Sequence, residues 1–165
     1  MHPAEVGGGC GDASVQPHIV AMDDLIEDVC WQLLAGSHFG RIAFVIDGAP
    51  WVLPFNYRID GETLVFRTAA TSMLHSLGRG SPVAVEIDHV DVAAKTGWSV
   101  LLRGAAWEIT DRDERREKLG ESVQPWAPGD RDRWLSVTPE AVSGRSISRH
   151  SSDWRPSFRT SSADK

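Results

Sequence analysis

From Leu25 onward, apolar residues return at helical spacing: Leu25, Ile26, Val29, Cys30, Leu33 and Leu34. Asp24 stands where an N-cap belongs, Glu27 follows three residues later and Gly36 punctuates the far end, so one amphipathic helix is predicted. Beyond it the period falls to two. Gly40 to Ile46, Trp51 to Tyr57 and Thr63 to Thr68 read as three strands of a meander, with turns at Asp47-Gly48 and Asp60-Gly61. Thr71-Ser72 opens a short helix that runs through Leu77 and stops at Gly78. Pro82 to Ile87 and Trp98 to Thr110 supply two more strands, the second long enough to bend round a barrel. Asp111 to Leu119 reads as a charged surface helix, Arg133 to Val137 as a strand, and Val142 to Ile147 as a last short element.

One helix, five or six antiparallel strands with tight turns and short helices at the ends predict a small β-barrel with helical plugs. The 165 residues make one domain over residues 22–147. Residues 1–21, with Gly7 to Gly11 and no apolar periodicity, read as a flexible arm, and residues 148–165, rich in Ser and Arg, as a flexible tail in which Trp154 and Phe158 offer anchors.

Composition narrows the function. The formal charge of −6 and the scarcity of Lys leave no basic footprint for nucleic acid, although a single phosphate needs only one or two well-placed Arg side chains. No apolar run approaches a membrane span, the start lacks the marks of a secretory signal, and Cys10 and Cys30 make no disulfide framework, so a cytoplasmic protein is expected. The six histidines show no metal-ligand spacing, and no metal site is expected. Cys30 falls on the apolar face of the helix and reads as a small hydrophobe. Gly-x-Ser-x-Gly, Gly-x-x-x-x-Gly-Lys and Gly-x-Gly-x-x-Gly turns are all absent.

Three segments carry more chemistry than a plain barrel needs. Pro54-Phe55-Asn56-Tyr57 ends a strand with a proline and an amide, which suits a ligand edge as well as a capped strand end. Arg67, Thr68, Thr71 and Ser72 lead from a strand into a helix N-terminus, the arrangement of a monophosphate cradle, although Ser72 also suits a simple cap. Trp98 and Ser99 follow Gly97 at the start of the long strand, where an indole can wall in a planar ring or simply fill the core.

In this order, Cys30 to Leu34, Gly40 to Ala43, Pro54 to Tyr57, Phe66 to Thr68 and Gly97 to Gly104 resemble the pyridoxamine 5′-phosphate oxidase-like family, in particular its bacterial branch with nitroimidazole-resistance proteins. The resemblance implies a mostly β fold, an antiparallel split β-barrel of the FMN-binding type with short flanking α-helices. It implies a homodimer with FMN in a groove between subunits and an oxidoreductase acting on a small organic substrate. A deazaflavin coenzyme or haem is the alternative occupant, in a non-catalytic binder. By that analogy Arg67, Thr68 and Ser72 hold the phosphate, Pro54, Phe55 and Asn56 run along the isoalloxazine edge, and Trp98 and Ser99 approach from the other subunit. Met73 stands where many such sequences carry a lysine, which removes a cationic phosphate ligand.

Overall fold

The computed structural model describes residues 21–110, 123 and 129–148. Eight strands, one α-helix and one 3₁₀ helix follow in the order β1 (Ala21–Leu25), α1 (Glu27–Gly36), β2 (Phe39–Ile46), β3 (Ala49–Asn56), β4 (Arg58–Asp60), β5 (Thr63–Thr68), a 3₁₀ helix (Met73–Leu77), β6 (Arg79–Asp91), β7 (Thr96–Ile109) and β8 (Arg133–Ser148). The strands form one antiparallel sheet in the order β3-β2-β6-β7-β8-β5-β4, and β1 joins β8. Strands β3 and β4 stand at its two edges, so the curved sheet is an open, split barrel with short helical elements beside it. No helix among the described residues is long and apolar enough to cross a membrane. The expected charged helix at Asp111 to Leu119, the loop through Trp126 and both chain ends lie outside the described residues.

Several expectations are corrected. Asp24 does not cap the helix: it lies in β1 and pairs with Arg145 of β8, while Ile26 occupies the N-cap position without a side-chain cap. The two acidic residues of β1 masked a strand whose partner is more than a hundred positions away. Strands β2 and β3 form the expected hairpin about Asp47-Gly48, where φ is positive at both residues and the twist matches the ladder. The meander ends there. Strand β5 leaves β3 to pair with β8 and takes only the short β4 as its hairpin partner. The two elements expected between Arg133 and Ile147 are one 16-residue strand. A register shift at Glu140, beside Pro139, lets β8 pair with β5 through its first part and with β1 through its last.

The inner face carries the core. Ile42, Val85, Val100, Leu102, Leu64, Phe66 and Leu135 are fully buried or nearly so, and Cys30, Leu33 and Leu34 of α1 close over them. Burial pushes the Cys30 thiol pKa up, as an apolar setting demands. Tyr57 ties the helix to the sheet: its hydroxyl donates to Leu34 O at 2.9 Å and its N–H to His38 O at 3.0 Å. Burial raises that phenol well above its ordinary value. A second, smaller cluster of Val65, Ile109 and Val123, with Trp134 against it, covers the opposite face of β5 and β8.

Candidate functional site

The β6–β7 hairpin is the longest ladder after β7–β8, and its turn end opens a cleft of about 550 Å³. Two register rows make its floor. In the first, Val90, Gly97, Ile147 and Met22 stand side by side across β6, β7, β8 and β1. Gly97 has no side chain, and its backbone runs so close to β6 that a Cβ there would lie 2.6 Å from the His89 carbonyl oxygen. In the second row Asp88, Ser99, Arg145 and Asp24 follow, so a polar rim lies next to the apolar floor. Lys95 reaches the cleft from the turn with φ +54, a conformation uncommon for a side chain-bearing residue, while Asp91 Oδ1 accepts the N–H of Ala94 at 2.8 Å.

Trp98 borders the same cleft from behind. Strand alternation turns it toward the inner face, where it packs on the core and its ring lies 6.5 Å from that of His89. Ser99 is exposed on the cleft side. The rim is electrostatically mixed: Arg41 of β2 donates to Asp88 at 2.7 Å and to Glu86 at 3.2 Å, and the contact with Asp88 raises the already high pKa of the guanidinium. Arg145 pairs with Asp24 at 3.2 Å, both largely exposed. On the inner face one strand beyond Ser146, the register partner of Trp98, Asp23 Oδ2 is buried without a hydrogen-bond partner.

The other expected site residues are distributed differently. Pro54 is exposed and faces Arg41 across the β2–β3 ladder, which places it two strands from Glu86 on the same outer face. Phe55 points the other way, buried among core aromatics with Phe66 edge-on at 5.1 Å, and Asn56 pairs in register with Phe39. Arg67 and Thr68 diverge as neighbours in a strand must. Arg67 lies over the Trp134 ring at 4.9 Å and its Nε donates to Arg131 O at 2.8 Å. Thr68 is fully buried on the inner side with Oγ1 unpartnered. Ser72 caps the 3₁₀ helix by accepting the Leu74 N–H at 3.2 Å, Thr71 is exposed, and Met73 packs against the core.

Thus the structure gathers Trp98 and Ser99 into a cleft with Glu86, Asp88, Lys95 and Arg145, none of which sequence reasoning singled out. The missed residues sit on β6, on β8 and in the turn after β6, and only strand register and that turn bring them together. Among the described residues no group of three His, Cys, Asp or Glu is placed to hold a metal ion.

An open antiparallel barrel with a polar-rimmed cleft at one hairpin end defines the class. The chain belongs to the pyridoxamine 5′-phosphate oxidase family, whose pattern matches residues 27–146. It is 30% identical over 128 residues to an uncharacterized protein of Mycobacterium tuberculosis, covering 73% of this chain and 82% of that one. Among solved structures it resembles an FAD binding protein from Mycobacterium smegmatis, with 29% identity, a TM-score of 0.59 and coverage of 76% of this chain and 98% of that chain. An FAD-binding protein from Mesorhizobium loti shares the fold at a TM-score of 0.66 and 21% identity, covering 78% of this chain and 98% of the other.

Proposed function

We propose that this chain binds a flavin, with the isoalloxazine ring against the Gly97 floor of the cleft, and works as an oxidoreductase on a small organic substrate. The observation that carries the reading is the cleft of about 550 Å³ over the Val90, Gly97, Ile147 and Met22 row, an apolar floor bordered by a few polar groups, which is the usual composition of a cofactor site. The donor set fits the group. Val90, Ile147 and Met22 exclude water from a ring face, Trp98 backs the seat, Ser99 offers a hydroxyl to a ring edge, and Lys95 and Arg145 set positive charge at the rim. A bound flavin would supply the hydride or electron transfer, and the protein orients it and tunes its surroundings.

FMN is the form proposed here, and the similarity to an FAD binding protein makes FAD the second candidate. The ring end carries this proposal. At the phosphate end the Arg67 guanidinium lies on Arg131 O and the Trp134 ring, and Thr68 Oγ1 is buried without a partner.

Homodimerisation belongs to the same proposal. The outer face leaves Val52 60% and Leu101 40% exposed, and Val45 and Trp107 stand out beside them. Such side chains favour an isologous contact that would also close the cleft. The test is the absorbance spectrum of the purified protein, or of the apoprotein titrated with FMN and FAD, together with sedimentation. Flavin bands and a dimer are expected. A Soret band, or a colourless monomer that takes up neither flavin, contradicts the reading.

A further inference from the structure

At the opposite end of the β6–β7 ladder the described residues build a second pocket, of about 370 Å³, lined by His75, Ser76, Gly78, Arg79, Glu108 and Arg133. Its walls come from the 3₁₀ helix and three strands. Gly78, just past the helix, runs so close to β7 that a Cβ there would lie 2.9 Å from Glu108 Cβ, and its carbonyl accepts the Glu108 N–H at 3.0 Å. Gly80 follows with φ +78 as the extra residue between the register pairs Arg79↔Trp107 and Ser81↔Ala106. A bulge of this kind redirects the neighbouring side chain, here Arg79, and bulges gather beside functional sites.

The charges in this pocket do not cancel. Arg133 pairs with Glu108, Nη2 donating to Oε2 at 3.1 Å while Nε lies 2.8 Å from Oε1 without hydrogen-bond geometry. Arg79 has no ion-pair partner among the described residues, so two guanidiniums face one carboxylate. His75 Nε2 lies 3.4 Å from Arg133 Nη2. His75 Nδ1 is buried without a hydrogen-bond partner.

We propose that this pocket binds a phosphate group between Arg79 and Arg133. Arg79 of β6 and Arg133 of β8 both line the pocket and together carry one positive charge more than Glu108 neutralises, which suits a phosphate oxyanion. The site stands apart from the flavin reading. Nine residue steps along β7 lead from Trp98 to Trp107, the register partner of Arg79, roughly 30 Å along the strand, so one mononucleotide cannot occupy both places in one subunit. The phosphate belongs either to a nucleotide held elsewhere in an assembly or to a separate phosphate compound.

Calorimetric titration of the full chain with inorganic phosphate tests the site, using wild type, Arg79→Gln and Arg103→Gln, the last an exposed arginine of β7 outside both pockets. Wild type and Arg103→Gln should bind alike, and Arg79→Gln about tenfold more weakly, the effect of one charge-assisted contact. Absence of phosphate binding to wild type, or equal binding by all three proteins, overturns the proposal. Repeating the titration with FMN or riboflavin separates the sources. Exclusion of phosphate by FMN but not riboflavin identifies the cofactor's own phosphate as the occupant, and phosphate binding beside FMN identifies a separate compound. A protein that binds phosphate but neither flavin retains this site and loses the flavin reading.

Discussion

The two ends of the β6–β7 ladder use glycine for opposite purposes. At the turn end Gly97 lets β7 run close against the His89 carbonyl within a regular row, and the cleft over that row has an apolar floor with charge kept to the rim. At the other end Gly80 breaks the register with a left-handed residue, and the result is a charged pocket with almost no apolar wall. On the proposed readings, one ladder offers a seat for a flat uncharged ring and a seat for an anion. Shape is made where the ladder stays regular, and charge is concentrated where it is broken.

The largest expected effect breaks the regular end. In Gly97→Ala the new Cβ would lie 2.6 Å from the His89 carbonyl oxygen, a backbone atom of the paired strand that cannot rotate aside. The ladder must shift, at about 1–3 kcal/mol, and riboflavin affinity should fall with it. Chemical denaturation beside riboflavin titration checks both. Gly80→Ala should cost somewhat less, about 1–2 kcal/mol for an L residue at φ +78. Its Cβ meets the Trp107 ring at 2.7 Å, but that side chain is half exposed and can turn away. Phosphate binding should weaken while riboflavin binding stays as in wild type, and equal damage to both would show that the two ends are not separate sites. The smallest effect is Asp24→Asn, which removes the exposed pair with Arg145. Denaturation should report less than about 1 kcal/mol, because solvent screens such pairs.

Local periodicity made much of this fold legible. The helix through Cys30, Leu33 and Leu34, the Asp47-Gly48 hairpin and the Ser72 cap are all written in short stretches of sequence. Strand order was not, because β5 chooses β8 over its neighbour β3 through side chains more than sixty positions apart, Phe66 against Leu135 and Leu64 against Val137. Strand β1 was hidden by its two aspartates, and β8 was read as two elements because Thr138-Pro139 looks like a break when it is a bulge in a continuous strand. The same division holds for the sites. Trp98 and Ser99 stood out as residue types in a motif, whereas Arg145 joins them only because Ser99 pairs with it in β8. Arg79 falls between the helix stop at Gly78 and the strand predicted from Pro82, and only the β7 partner shows that it belongs to a ladder.

Riboflavin carries the ring without a phosphate, so its affinity tests the cleft with the charged pocket left out. Fluorescence titration of wild type, Ile147→Ala and Arg79→Gln should show binding weakened about tenfold in Ile147→Ala, which strips an apolar wall from the cleft, and unchanged in Arg79→Gln. Riboflavin binding that is as tight in Ile147→Ala as in wild type, or that fails in Arg79→Gln alone, would contradict the placement of the flavin ring over Gly97.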